Sequence, residues 1–196
     1  MTARPKVVVM AKEPRPGRVK TRLARDVGVV SATWWFRHQV RRLLRRIGND
    51  PRWQVVLAVS PDHAVAASCW PAHLPKVAQG TGDLGARMGR ALAQFGPGPV
   101  LVIGADIPGV DRAAIAEAVA VLRGRDGVLG PAPDGGYWLV GLRLGARRLP
   151  AKLFEGVRWS GPHALSDTLA TMGPLRVGFA TTLDDVDTVD DLRRVG

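Results

Sequence analysis

The chain has 196 residues, a net charge of +11, 46% hydrophobic and 23% charged residues, and one cysteine. This length supports one sizeable core, so a single domain over residues 1–196 is expected, and the composition excludes a disordered chain. Cys69 alone excludes an intrachain disulfide and a cysteine-rich zinc site. No stretch reaches the length of a membrane span and the start MTARPKVVVMA is too short for a secretory signal, so a cytoplasmic location is expected.

The first element is an apolar strand over residues 6–11, followed at once by AKEPRPGRVKTRL. A strand that opens into a loop with Gly17 and with Arg18, Lys20 and Arg22 at alternating positions suits a polyphosphate, because glycine permits close backbone approach and the cations supply counter-charge. Lys12 begins the same run. A helix over 31–48 comes next, with Phe36, Val40, Leu43, Leu44 and Ile47 at helical spacing and Arg37, Arg41, Arg42, Arg45 and Arg46 opposite them. A solvated face accounts for those arginines, and Trp34 and Trp35 are expected to pack. Through residue 50 there are thirteen Lys/Arg against three acids (Glu13, Asp26 and Asp50), whereas the remainder is nearly balanced.

Strands are predicted over 53–60 and 76–79, with a helix over 62–69 between them. The segment QGTGDLGARM then leads into a helix over 84–95. Gln79, Gly82, Asp83, Gly85 and Arg87 could face a base or ribose there, although Asp83 is equally suited to cap the helix. A strand over 99–105 ends at Asp106, and Pro108 stops further pairing, so this carboxylate projects from the strand end as a candidate ligand for a hard cation. Asp111 caps a helix over 111–123. Strands over 127–130 and 137–142 flank PAPDGGYW, a hairpin-type turn that presents Asp134, Gly135, Gly136 and Tyr137, with Asp134 a candidate partner for acceptor or sugar hydroxyls. A helix over 161–172, capped by Ser160, and a strand over 175–180 follow.

The final segment is LDDVDTVDDL, residues 183–192, leading into a helix over 188–195. Asp187 or Thr188 can cap that helix, and Asp190 and Asp191 suit its first turn. Capping leaves Asp185 and Asp187 unexplained, since carboxylates this close repel unless a cation is near. A metal shared by Asp106, Asp185 and Asp187 would relieve that repulsion.

Strands alternating with helices predict an α/β fold with a mostly parallel sheet covered on both faces and a ligand site beyond the carboxyl ends of the strands. The chain has no G-x-x-x-x-G-K-[ST], no G-x-S-x-G and no histidine spacing that would hold a metal.

Six segments in order, AKEPRPGRVKTRLA (11–24), QGTGDLGARM (79–88), GADIPGV (104–110), PAPDGGYWLVGL (131–142), LFEGVRWS (153–160) and DDVDTVDDL (184–192), carry a resemblance over essentially the whole chain. The chain resembles the bacterial family of small glycosyltransferase-A-like, nucleotide-diphospho-sugar-transferase-like proteins associated with radical-SAM enzymes. More distantly it is similar to the phospholactate and molybdenum-cofactor guanylyltransferase families. The resemblance implies a three-layer α/β/α fold of the glycosyltransferase-A type with Mg2+ or Mn2+ at Asp106, Asp187 and Asp185. It also implies phosphates at Arg18, Lys20 and Arg22, and the base and ribose at the 79–87 loop. Residues 104–106 read Gly-Ala-Asp and so lack the D-x-D of many glycosyltransferases.

Asp106, Lys20 and Asp134 are therefore the candidate catalytic residues. Two reactions fit them: glycosyl transfer from a nucleotide-diphospho-sugar to a small acceptor, and nucleotidyl transfer from a nucleoside triphosphate to a phosphorylated small molecule. The family label favours the first, and three loop cations favour the second. A non-catalytic nucleotide or nucleic-acid binding module is the remaining alternative, although nucleic acid is not the expected partner.

Overall fold

The structure, a computed structural model, describes residues 3–144 and 149–195. Its elements in chain order are β1 (Lys6–Lys12), α1 (Leu23–Val27), α2 (Val29–Ile47), β2 (Gln54–Ser60), β3 (Lys76–Ala78), α3 (Leu84–Ala93) and β4 (Gly98–Gly104). They continue with α4 (Arg112–Gly124), β5 (Gly127–Pro131), β6 (Tyr137–Leu144), α5 (Ala164–Thr171), β7 (Val177–Phe179) and α6 (Val189–Val195). The seven strands form one sheet in the order β3-β2-β1-β4-β6-β5-β7. Strands β1, β2, β3 and β4 pair in parallel; β6 is antiparallel to both β4 and β5, and β7 is parallel to β5. Six strands thus point one way and β6 alone runs against them, which gives the mostly parallel α/β sheet predicted.

Alternation along the central strands makes the three layers. Val7 and Val9 of β1 face one side and pack with Phe36, Val40, Leu43 and Ile47 of α2 and Ile115 and Leu122 of α4. Val8 faces the other side, with Val100 and Val102 of β4, and packs on Met88 and Leu92 of α3 and Ala164 of α5. Both faces are covered, so the central strands read as nearly continuous apolar runs. No helix among the described residues is long and apolar enough to cross a membrane.

Several local expectations change. Residues 62–66 form a 3-10 helix rather than the start of an α-helix reaching 69. The short α1 was not anticipated; it begins where the basic loop ends, with Leu23 buried. Asp111 caps α4 by accepting from Ala113 N and Ala114 N at 2.8 and 2.9 Å. Ser160 caps nothing. It adopts φ +62° three residues before the observed N-cap of α5, His163, because the chain turns between them. Arg46 is half-buried and donates to the Pro108 carbonyl at 2.8 Å, so it does not share the solvated face of α2. Trp34 is 59% exposed and stacks on His38, whereas Trp53, Trp70 and Trp138 are buried.

Topology sets the ligand edge. The register aligns Lys12 with Ser60 and Met10 with Gly104, so the loops after β1, β2 and β4 leave the sheet side by side. Because β6 runs in reverse, its first residues and the 132–136 turn lie at that same edge, and so does the segment that leaves β7.

Candidate functional site

A cleft of about 730 Å³ opens at this edge. Three carboxylates meet in it. Asp106 sits two residues past the end of β4, and Asp185 and Asp187 follow β7; one ligand oxygen from each lies within 4.8 Å of the others. The path of the last segment explains how residues nearly eighty positions apart converge. Ala180 N donates to Leu129 O at 2.9 Å and Leu183 N to Pro131 O at 3.1 Å, carrying the chain along the edge of β5. The Trp138 indole N–H holds Thr181 O at 2.9 Å. Val186 is then fully buried against Leu23 and Ala32, and the carboxylates on either side of it line the cleft. The D-x-D absent at 104–106 is present at 185–187, the two aspartates expected to share a metal with Asp106.

Lys20 is the cation of this cluster. Its Nζ lies 2.5 Å from Asp106 and 2.7 Å from Asp187, with its side chain only 5% exposed. The backbone at Lys20 takes φ +47°, a conformation uncommon for a residue with a side chain and of the kind held at functional sites. Burial disfavours its charge, but Asp106 and Asp187 outweigh that and raise its pKa above the ordinary 10.5. Arg22 reaches Asp187 at 3.2 Å from the exposed side. Among the described residues no cation is in ion-pair contact with Asp185, and the charge of Lys20 acts on it only weakly. Burial first, then the charges of Asp187 and Asp106, push its pKa up to about 6.

The acidic turn beyond the cluster is structural. Thr188 and Asp191 form a reciprocal cap of α6: the Thr188 amide donates to the Asp191 carboxylate at 2.7 Å, and the Asp191 amide donates to Thr188 Oγ1 at 3.2 Å. Asp190 and Asp191 also pair with Arg193 and Arg194.

The other expected site residues divide into two sets. Lys12, Arg18, Arg22, Gln79, Arg87, Asp134, Gly136 and Tyr137 line the cleft together with Lys20 and the three aspartates. Gly17, Gly82, Asp83, Gly85 and Gly135 frame it without lining it. Gly17 takes φ +74° in the turn that brings the loop round. Asp83 caps α3 through Ala86 N at 2.8 Å. The Gln79 amide donates to Ala11 O and Ala58 O at 3.2 and 2.9 Å and its Oε1 accepts from Arg87 at 3.3 Å, so it holds the loop as well as facing the cleft. Asp134 accepts from Gly136 N at 2.8 Å, closing the hairpin turn. Tyr137 is largely buried, with its hydroxyl accepting from Thr168 Oγ1 at 3.1 Å, and burial raises its pKa.

Residues not expected at the site from sequence complete the wall: Thr21, Leu84, Met88, Trp138, Trp159 and Ser160, the last expected only as a helix cap. The segment LFEGVRWS had been noted for its resemblance, and that was the one signal for Trp159. The donor set at Asp106, Asp185 and Asp187 is all hard oxygen, as Mg2+ and Mn2+ prefer, and it leaves coordination positions for ligand oxygens.

Comparison with known proteins gives three kinds of result. The model of the DUF2064 family, described as "Uncharacterized protein conserved in bacteria", matches residues 43–161. A comparison with curated proteins found no significant match. Among solved structures, a protein of Desulfovibrio desulfuricans G20 provisionally named a nucleotide-diphospho-sugar transferase is 31% identical with a TM-score of 0.85, over 98% of this chain and 85% of that one. Rv0371C of Mycobacterium tuberculosis, solved in complex with manganese, is 21% identical with a TM-score of 0.56, over 100% of this chain and 98% of that one. CMP:2-keto-3-deoxy-manno-octonic acid synthetase, solved with CTP, is 14% identical with a TM-score of 0.56, over 98% and 97%. The last two share the fold.

Proposed function

The chain belongs to the DUF2064 family, and from that premise and the geometry of the cleft we propose that it is a metal-dependent transferase acting on an activated nucleotide, with a nucleotide-diphospho-sugar as donor. The observation that carries this reading is the convergence of Asp106, Asp185 and Asp187 around Lys20 on the floor of a cleft with cations on its wall. A carboxylate triad alone would suit many proteins. Its placement beside Arg18, Arg22 and Lys12 suits a ligand that brings both a metal and phosphates.

Asp106, Asp185 and Asp187 would hold the divalent ion, Mn2+ or Mg2+, which when bound supplies charge stabilisation to a departing diphosphate. Arg18 and Arg22 would hold the phosphate oxygens, and Lys20, released from carboxylates that are otherwise engaged, would add a third cation. Gln79 and Arg87 would face the nucleoside. Asp134, on the hairpin turn near enough for its charge to act on Asp185, would hold hydroxyls of the sugar or acceptor; at the anomeric carbon the bond to the phosphate oxygen breaks, the bond to the acceptor oxygen forms, and the acceptor's proton leaves to solvent. Positioning and fixed charge do this work without a protein nucleophile.

Nucleotidyl transfer is the second reading, favoured by one observation: five cationic side chains, Lys12, Arg18, Lys20, Arg22 and Arg87, line the cleft, more than a diphosphate requires. A thermal-shift panel of nucleotide sugars and nucleoside triphosphates, each with and without Mn2+ or Mg2+, tests both. The expected result is metal-dependent stabilisation by a nucleotide sugar exceeding that by its parent diphosphate, with release of the nucleoside diphosphate on addition of acceptor. A preference for a triphosphate with pyrophosphate release would establish the second reading. No metal-dependent shift with any ligand would overturn both.

A further inference from the structure

The wall opposite the basic loop contains a structured segment that the metal and phosphate chemistry does not use. Residues 153–160 are held on three sides. The Arg158 guanidinium grips Asp167 of α5 at 2.8 and 2.9 Å, and the Arg158 amide adds a third bond to the same carboxylate at 3.1 Å. Phe154 N donates to Thr171 Oγ1 at 3.1 Å. Phe154 and Ser160 both adopt left-handed φ values, +71° and +62°, which side-chain-bearing residues rarely take.

What this framework positions is Trp159. Its ring packs against Phe154 and, edge-on, against Tyr137, with centroids 6.0 and 6.4 Å apart. Helix α3 comes so near that a Cβ at Gly85 would lie 2.7 Å from Phe154 Cβ and 3.0 Å from the Trp159 ring. The indole remains half-exposed and lines the cleft with Leu84 and Met88. A tryptophan whose role was only to fill the core would be covered, as Trp53 and Trp138 are.

The hairpin tip is docked onto the continuation of the same segment. Gly135 O accepts from Leu165 N at 3.0 Å, and a Cβ at Gly135 would fall 2.4 Å from the Pro162 carbonyl oxygen. Asp134 therefore stands beside the Trp159 segment on the cleft wall. One of its oxygens closes the turn with Gly136 N and the carboxylate is otherwise exposed.

An apolar aromatic face and a carboxylate lining one cleft match the chemistry of a pyranose: C–H groups on one face of the ring and hydroxyls at its edge. A phosphate is repelled by Asp134, and Lys12, Arg18, Lys20 and Arg22, the cations that would hold it, belong to the basic loop. We propose that Trp159 and Asp134 form the subsite for the transferred sugar, Trp159 as its stacking platform and Asp134 as its hydroxyl acceptor. This rests on the nucleotide-sugar reading above and adds to it the place and the chemistry of sugar recognition.

Calorimetric titration in the presence of Mn2+ tests it with UDP-, GDP- and ADP-glucose and their parent diphosphates on wild type, Trp159→Leu, Trp159→Phe and Asp134→Asn, each variant first checked for a cooperative melt. The expected result is that Trp159→Leu weakens the preferred nucleotide sugar about tenfold and its diphosphate less than about twofold, with Trp159→Phe restoring most of the difference. Asp134→Asn should likewise affect only the sugar form. Equal losses for sugar and diphosphate would overturn the subsite by making Trp159 a nucleoside contact or a packing residue, and unchanged affinities would remove it from the site. If a wild type that binds the diphosphates gained nothing from the sugar, the subsite would fall while nucleotide binding stood. If wild type bound none of these ligands, the nucleotide-sugar reading itself would fall.

Discussion

Two arginine-rich regions lie next to each other in sequence and behave in opposite ways. The basic loop turns its cations inward: Lys20 is buried between Asp106 and Asp187, Arg22 reaches Asp187, and Arg18 lines the cleft. Helix α2 turns Arg37, Arg41, Arg42 and Arg45 outward, and among the described residues none of them meets a carboxylate. The two regions carry five cations each, Lys12, Arg15, Arg18, Lys20 and Arg22 in the loop and Arg37, Arg41, Arg42, Arg45 and Arg46 in the helix, yet the outward arginines of the helix sit in high dielectric, where each is solvated separately and interacts weakly. In the loop, Lys20 and Arg22 converge with opposite charges in a partly dry cleft. Convergence, rather than the amount of charge, distinguishes a candidate site from a solvated face.

The largest effect that this contrast predicts is at Asp106. Asp106→Asn should lower turnover about 10²–10³-fold while the protein still melts cooperatively, because it removes a ligand charge and no core packing; full activity would detach Asp106 from the chemistry. Next is Lys20→Met. Nucleotide affinity should drop about tenfold for the loss of a charge-assisted contact, while Mn2+ binding without nucleotide should tighten, since the ammonium competes for the same two carboxylates. Weaker Mn2+ binding in this variant, measured by titration calorimetry, would show that Lys20 supports the metal instead.

The pH dependence follows from Asp185. Its pKa stands at about 6 in the folded protein against 3.8 ordinarily. A raised carboxyl pKa favours the neutral form in the fold, so its contribution to the metal-free protein is full below the unfolded value and is lost as pH rises through about 6. A divalent ion needs the ionised form. Stabilisation by Mn2+ should therefore grow between about pH 5 and about pH 7 and then level off. A flat difference between melting curves with and without Mn2+ across that interval would exclude Asp185 from the metal site. The smallest effect is expected on the helix: Arg41→Gln with Arg45→Gln should leave nucleotide affinity within about twofold. A tenfold loss there would break the contrast between the two regions.

Local patterns recovered most of the architecture, and they failed where tertiary contacts overrode them. The β1, β2 and β4 runs were legible because strands buried on both faces must be apolar throughout. Asp111 and Asp83 were legible as caps because capping is chemistry within one helical turn. Ser160 misled for the same reason: the right residue type stands before a helix, but the loop needs it in a left-handed turn. The five-residue α1 was invisible, since it is too short for a periodic pattern and is stabilised by Leu23 packing under Val186.

For the candidate site, sequence alone determined the residue types: a basic loop after the first strand, an aspartate after the fourth, a paired acidic segment near the end, and hence a hard-cation and phosphate chemistry. It also determined the order of strands and helices from which the ligand edge follows. Only the tertiary structure decided which of these groups meet. It showed that Lys20 faces carboxylates, that the oxygens of Asp185 and Asp187, expected to share a cation with Asp106, do reach it, and that Trp159 lines the same cleft. The physical reason is the range of the interactions. Propensity, capping and periodicity act over a few residues and are written locally, whereas a charge cluster depends on distances of a few ångströms between segments that only the sheet's register brings together.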